Sequence, residues 1–439
     1  MKISLTLLLI LLLIVVLAAW VLLVAWPVAL VLVVLLAAWL AATRSGRRAL
    51  SVTNVGISTL GQRLGSSAVI VVGIAGVVGV LVAMLAMAEG YAETLRKTGS
   101  EDTAIVLRGG SAAEVASGLD RDSVMQIVQT AGIARDAKGE PLASPETVVA
   151  ANLPIKGGAV DEDGSVQLRG VGAQAWAVRP QVRIVDGKQF TPGLQELIVG
   201  RGAARQFAGL VPGREIRLGS QKWMVTGVFT SGDALESEIW ADANVVAEMF
   251  KRGSSRNSVT VRLADPKGFV TFKSALEANP QLKIDASTTL DFFSKQSEST
   301  SKLIRIIGTV VGSIMAVGAM FGALNTMFAA VAARAREIAT LRAIGFAGPP
   351  VVVAILLETM LLALAGGVIG GAAAWLIFNG YAASTMAAGT VGKLSFELHV
   401  TAGVLWQGLK WALAIGFIGG LFPAVRAATM PVTAALREL

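Results

Sequence analysis

Few side chains in this 439-residue sequence are of types and spacings that do covalent or metal chemistry. His399 is the single histidine and cysteine is absent, which excludes histidine-ligand clusters, Cys-based metal sites and disulfides, and leaves a His-dependent triad without support. Asp161, Glu162 and Asp163 form an acidic run in a loop, a pattern that solvated loops carry far more often than metal sites do. Gly170-x-Gly172-x-x-Ala175 follows a strand-like run as a dinucleotide fingerprint would, but Pro180 comes five residues later and leaves no room for the helix such a unit needs. No G-x-x-x-x-G-K-[ST] sequence occurs, so any ATP chemistry is expected from a partner chain that binds ATP and Mg, and this chain is expected to be non-catalytic, with no metal or cofactor of its own.

Binding and packing are better represented than catalysis. Arg334 to Gly345 follows an apolar run and mixes apolar anchors, Ile338, Leu341 and Ile344, with polar Arg334, Arg336, Glu337 and Arg342, which suits a docking loop; a merely basic membrane-flanking loop is the plainer alternative. Glu358 interrupts the apolar run Val351 to Phe378 about a third of the way along, and an ionisable group there is expected to face protein or water, in a structural hydrogen bond rather than a proton relay. Small residues recur four apart at Gly308 and Gly312, Gly366 and Gly370, Gly367 and Gly371, and Gly416 and Gly420, faces that let helices approach closely within the subunit or across a dimer, although glycine is simply common in membrane helices. Asn325 is counted with them as a span-packing residue.

The elements that must position these residues follow from hydropathy. Hydrophobic residues make up 54% of the chain and charged ones 15%, which points to spans in lipid. Ser66 to Ala88 and Ile306 to Ala333 carry no charge and exceed the roughly 20 helical residues that cross a bilayer core. Val351 to Phe378, with Glu358, and Leu405 to Val425, with Lys410, are the third and fourth spans. The net charge of +8 is uneven: residues 89 to 300 carry 24 Lys and Arg against 26 Asp and Glu, so the basic excess sits beside the spans and argues against nucleic acid. Arg44, Arg47, Arg48 and Arg63, then Arg334, Arg336 and Arg342, then Arg426 and Arg437 are therefore expected in the cytoplasm, with residues 89 to 300 outside.

Four regions result: an N-terminal hydrophobic hairpin (1–43), an interfacial helix and first core span (44–98), an extracytoplasmic α/β domain (99–288), and a stalk with spans two to four and the cytoplasmic loop (289–439). The hairpin, broken near Pro27, is the expected form of the first region, with a cleaved signal peptide and one span as the alternative. Residues 44 to 65 read equally well as an interfacial helix or a linker. Strand-like runs include Thr103 to Arg108, Val166 to Arg169, Glu215 to Leu218, Lys222 to Phe229 and Ser258 to Leu263; helix-like runs include Ser111 to Leu119 and Pro266 to Ala278; loops include Ala134 to Pro145 and Lys156 to Ser165. Thr289 to Ala333 has no breaking residue and would form one helix of about 68 Å, a stalk longer than the bilayer is thick.

Three stretches together resemble the MacB/FtsX-type permeases of ABC transporters: NTMFAAVAARAREIATLRAIG from Asn325, with Glu358 and the Gly366-Gly367 pair behind it; the C-terminal PAVRAATMPVTAALRE from Pro423; and Val185 to Phe229. The resemblance covers roughly residues 48 to 439; the N-terminal hairpin lies outside it. It implies a multi-pass protein of the inner membrane: an α-helical bundle of four core spans with a large periplasmic α/β domain between spans one and two. It also implies partners: cytoplasmic ABC ATPase subunits, a second permease that is either the same chain or a paralogue, a periplasmic adaptor, and membrane lipid. The activity implied is coupling of ATP hydrolysis in the separate ATPase to movement outside, for export or mechanotransmission; the alternative is a scaffold that regulates a periplasmic partner such as a cell-wall hydrolase.

Overall fold

The computed structural model describes residues 16, 19–21, 23–58, 64–157, 162–279, 281–386 and 392–431. The chain divides into a helical unit (Met1–Ala86, Ile304–Asn379 and His399–Leu439) and a sheet unit (Met87–Leu303 and Gly380–Leu398).

The long helices are α1 (Trp26–Ala42), α2 (Arg44–Ser58), α3 (Leu64–Thr98), α4 (Thr289–Ala333), α5 (Ala335–Ala343), α6 (Gly348–Phe378) and α7 (Ala402–Thr429). Four of them, over Ser67–Thr98, Thr289–Ala333, Gly348–Phe378 and Ala402–Thr429, are long and apolar enough to cross a membrane. α4 runs unbroken for 45 residues, the extent expected from its sequence. α1 starts where the fixed backbone angle of Pro27 suits a first helical turn. Most of the first limb of the expected hairpin falls outside the described residues. Residues 44 to 58 are helical, with Ala49 and Thr53 buried on one side of α2.

Packing in the helical unit runs on small residues. A side chain at Gly308 or Gly312 would meet Met84 at 2.7 Å or Leu81 at 2.9 Å of α3, and one at Gly366 would meet the Val71 carbonyl at 2.8 Å. Gly370 abuts Ala75, Gly416 abuts Ala363, and Gly420 abuts Thr359. All six glycines thus serve close approach inside one chain, where van der Waals contact and not the hydrophobic effect holds helices together in lipid.

The sheet unit is built on strands β1 (Thr103–Arg108), β2 (Ala143–Pro154), β3 (Asp163–Val171), β4 (Arg183–Gly187), β5 (Glu196–Gly200), β6 (Glu215–Leu218), β7 (Gln221–Thr230), β8 (Glu238–Asp242), β9 (Ser258–Arg262) and β10 (Ile284–Thr288). They form one mixed sheet in the order β10-β1-β9-β2-β3-β8-β5-β7-β4, with β6 on β7; β3 pairs with β8, and β5 with β7, in parallel. One core gathers β1, β9 and β10 around Phe272 and Ile127; another gathers β2, β3, β5 and β7 around Trp223 and Phe207.

Two local expectations change, and a third holds. Ser111 to Leu119 holds only a 3-10 turn at Glu114–Ala116, because the Asn257 amide donates to the carbonyls of Glu114 and Ser117, acceptors a helix would use, while Arg108 N–H donates to the Ser117 hydroxyl. The expected loops at 134–145 and 156–165 are invaded by β2 and β3, which pair as antiparallel neighbours. The Gly-x-Gly-x-x-Ala match leads into a helix of four residues, Ala175–Val178, and Gly170 is needed for packing, since a side chain there would meet the backbone of Ala243 at 2.8 Å. A further hairpin, β11 (Ala382–Met386) with β12 (Lys393–Glu397), lies between α6 and α7, and Phe396 packs edge-on against Tyr91 at 5.6 Å.

Candidate coupling site

The segment expected as a docking loop is a helix. α5 begins after Arg334 leaves helical geometry and ends in a Schellman turn, with Phe346 N–H donating to the Leu341 carbonyl, Gly345 N–H to that of Arg342, and Gly345 at φ 100°. Glycine is required there because a side chain is strained in that left-handed region.

The structure divides the predicted docking residues into two sets. Arg334 turns into the bundle and forms a two-pronged pair with Glu358 of α6, at 2.8 and 3.1 Å, while also donating to the Gly56 carbonyl of α2 at 3.2 Å. Three helices meet on one guanidinium, and this accounts for the costly acid in span three. Ile338 is buried, Leu341 half-buried, and both line a small cavity with Arg334, Val351 and Glu358. Arg342 donates to the Met430 carbonyl after α7. Arg336, Glu337 and Ile344 stay exposed, Ile344 at 72%. The arrangement is an inward-anchored helix with an outward face of mixed charge and one bare aliphatic, suited to binding a protein and not to chemistry. Asn325 differs from the glycines grouped with it: it is exposed on α4.

A second ionic site was not legible as one. In the sheet unit the buried Arg169 of β3 uses all its donors on three carboxylates: Glu238 at 2.7 and 2.8 Å, Glu114 at 2.9 Å twice, and Glu146 at 2.6 Å. Arg179 also pairs with Glu146, Trp240 and Gln167 donate to Glu238, and Ser258 donates to Glu114. Burial pushes the Glu146 carboxyl up, but Arg179 and Arg169 outweigh it and hold the group below the usual carboxylate range. Burial works against the charge of Arg169 as well, and the surrounding carboxylates hold its pKa well above the ordinary value. The one sequence signal is an arginine inside the apolar strand run Val166 to Val171. Among the described residues no group of His, Cys, Asp and Glu could hold a metal ion.

Two family models match this chain. Residues 67–279 match the MacB-like periplasmic core domain and residues 309–432 the FtsX-like permease C-terminal region, together more than three-quarters of the sequence. The chain belongs to the MacB/FtsX type of ABC permease. The macrolide export ATP-binding/permease protein MacB of Bordetella avium is 26% identical over 318 residues, covering 67% of this chain and 46% of that one. The same-named protein of Shewanella oneidensis is 26% identical over 399 residues, 84% of this chain and 57% of that one. YknZ of Bacillus subtilis, an uncharacterized ABC transporter permease, is 27% identical over 210 residues, 46% of this chain and 49% of that one. The chain spans about half the length of these curated relatives. Four candidate membrane helices and a large α/β domain of the MacB-like periplasmic type thus make up a membrane protein of the transporter-permease kind.

Proposed function

We propose that this chain is the permease subunit of an ABC transporter in the inner membrane, that a separate cytoplasmic ATPase docks on α5, and that closure of the ATPases on ATP and Mg is passed along α4 to the sheet unit in the periplasm. The observation that carries the reading is α5 itself. A stop at Arg334 and a Schellman turn at Gly345 delimit it, Arg334 pins it to Glu358, and Arg336, Glu337 and Ile344 are left free to meet a partner. A load taken at α5 reaches α4 across one residue, and α4 is a single helix of 45 residues, stiff enough to transmit it.

Glu337→Lys combined with Ile344→Ala tests this, since both side chains are exposed. Interface anchors of this kind cost about 2 kcal/mol or more when lost, on the order of 30-fold in affinity. The variant should insert normally yet fail to retain its ATPase on purification or to stimulate it after reconstitution. Wild-type retention and wild-type stimulation would place the docking surface elsewhere.

A further inference from the structure

The helical unit is short of acid. Its three segments carry only Glu337, Glu358 and Glu438 as side-chain carboxylates, and the chain has no acidic residue at all before Glu89. Glu358 is taken by Arg334. Against that background Arg44, Arg47 and Arg48 stand within the first five residues of α2, all three exposed. Among the described residues none of their guanidiniums is paired with a carboxylate. Spacings of three and four place Arg47 and Arg48 one turn from Arg44, where like charges repel.

The corner that presents them is fixed by local bonds. α1 and α2 meet at 97° across Thr43, whose hydroxyl donates to the Trp39 carbonyl at 2.9 Å and accepts from Gly46 N–H at 2.9 Å. Glycine is required at 46, since a side chain there would run into the Trp39 carbonyl and the Leu40 backbone. α1 carries no charge, hydroxyl or amide side chain, and Leu30 to Leu36 are exposed in unbroken succession, a surface that lipid satisfies. Its 17 residues rise about 25 Å, so α1 immersed in a hydrocarbon layer of about 30 Å delivers Arg44 to the edge of that layer, the level of lipid phosphates. α2 turns there into the membrane plane. Ala49 and Thr53 are buried against the bundle, while Leu50 and Ile57, seven positions apart on one face, stay exposed to enter the acyl region.

We infer that Arg44, Arg47 and Arg48 form a site for the headgroup phosphate of an acidic phospholipid, and that its occupancy is felt at α5. A guanidinium offers phosphate paired donors in a fixed fork. A lipid of net negative charge cancels the repulsion among the three arginines, whereas a zwitterionic lipid brings a cation with its phosphate, and α2 supplies no carboxylate of its own to compete. The Arg48 guanidinium also lies over the ring of Phe346, 5.9 Å from its centroid, and Phe346 closes the Schellman turn that ends α5. A headgroup that holds Arg48 in place therefore restrains the end of α5. The lipid site needs only the chain in a membrane; its effect on ATPase coupling rests on the docking reading above.

The absence of cysteine allows a local probe. Ser51→Cys, exposed one turn beyond Arg47 and Arg48, is labelled with bimane, and the whole transporter is reconstituted into vesicles of phosphatidylcholine and phosphatidylglycerol with bromine on the acyl chains of one lipid or the other. Brominated phosphatidylglycerol should quench about 5-fold more than brominated phosphatidylcholine at equal mole fraction, the worth of roughly one arginine near an acidic surface. The two should become equal when Arg44→Gln, Arg47→Gln and Arg48→Gln are combined, while the corresponding triple lysine variant, which keeps the charge, should retain an excess. Equal quenching in the parent, or an excess that survives the triple glutamine variant, overturns the site. So does an excess abolished by inorganic phosphate in solution, which would make the ligand a free anion. ATPase stimulation on the same vesicles should rise with the phosphatidylglycerol fraction in the parent and not in the triple glutamine variant; stimulation independent of composition overturns the link through Phe346. Loss of ATPase retention by that variant in every lipid mixture would assign the arginines to the ATPase and overturn the lipid site. Glu337→Lys with Ile344→Ala should leave the quenching ratio unchanged, which separates this site from the docking face.

Discussion

Arg169 and Arg334 both leave water for carboxylates, but in different company. Arg169 meets three acids, on its two neighbouring strands and a 3-10 turn, with a side chain 1% exposed; Arg334 meets one acid and a backbone carbonyl at the junction of three helices, with 12% of its side chain exposed. The first site is closed: two guanidiniums stand against three carboxylates, and strand pairing fixes Glu146, Arg169 and Glu238 within it. The second is open at one side, where α5 departs. A closed cluster of this kind ties elements into one body, whereas a single pair at a helix junction fixes the angle between two helices and leaves the outer face of one of them free. The difference leaves the sheet unit cross-tied by buried charge and the junction of α4 with α5 held by a single ion pair.

Removing the arginine from each site is the sharpest way to break that contrast. Arg169→Met takes the guanidinium from three buried carboxylates and leaves Glu114 and Glu238 without their cation, while Glu146 keeps Arg179, and uncompensated buried charge costs about 3–5 kcal/mol or more, a large part of a domain's stability. Hydrogen exchange of the full chain in detergent should show loss of protection across β2, β3, β8 and β9. Retained protection there would mean that the cluster is not what holds these strands together. Arg334→Gln leaves only Glu358, close to the open side, and should cost less, about 2–3 kcal/mol. Its double variant with Glu358→Gln should recover most of that loss in thermal unfolding while still impairing ATPase stimulation, because the neutral pair no longer sets the angle of α5. Full recovery of stimulation would reduce the pair to a structural filler.

Sequence reasoning saw these two sites unequally, and the reason is physical. The α5 segment sits at the end of an apolar run and gathers its charges locally, so position alone marked it, and α4 was legible over its whole length because nothing in Thr289 to Ala333 can break a helix. What stayed hidden was orientation: nothing local says that Arg334 turns back to an acid 24 positions on while Arg336 stays out. Arg169 was hidden more completely. Its acids lie 55, 23 and 69 positions away, Glu114 in a run that reads by itself as helix, and only the register of β2, β3 and β8 and the turn at Glu114 bring them together. The helix expected at Ser111 to Leu119 failed for a similar reason, since the competing donor, Asn257, is remote in sequence.

Acid should separate the two units next. Glu146 has its folded pKa held below the unfolded value of 4.5, so its contribution is fully present above that pH and is lost as pH falls through the folded value. Between neutral pH and about pH 3 the strands around Glu146 should therefore lose protection, and Glu146→Gln, already weakened at neutral pH by loss of the charged pairs, should show a flatter pH dependence. An equal slope in the variant would mean that other acids govern the acid response.

The smallest effect is expected at Asp233, and its sign is opposite. This side chain is buried, accepts from Ser231 Oγ at 2.6 Å and from Leu235 N–H at 2.9 Å, and lies near the Glu238 of the Arg169 cluster without sharing its arginines. Burial raises its pKa above the unfolded value of 3.8; the hydrogen bonds from Ser231, Leu235 and Gln181 oppose this and do not overcome it, and the charge of Glu238 adds to the rise. A carboxyl raised in the folded state favours folding below its unfolded pKa and loses that contribution as pH climbs through the folded value, so at neutral pH the Asp233 charge is a liability. Asp233→Asn keeps an oxygen to accept from Ser231 and Leu235 and removes the charge. It should stabilise the sheet unit at pH 7 by up to about 1 kcal/mol, a modest gain by the scale of single substitutions, and give no gain at pH 3.5. Denaturant midpoints of the full chain at the two pH values, read by exchange in β7 and β8, decide it: a destabilised Asp233→Asn at pH 7 would mean that the carboxylate is held by partners strong enough to outweigh its burial, and that the charge excess of the cluster is compensated there after all.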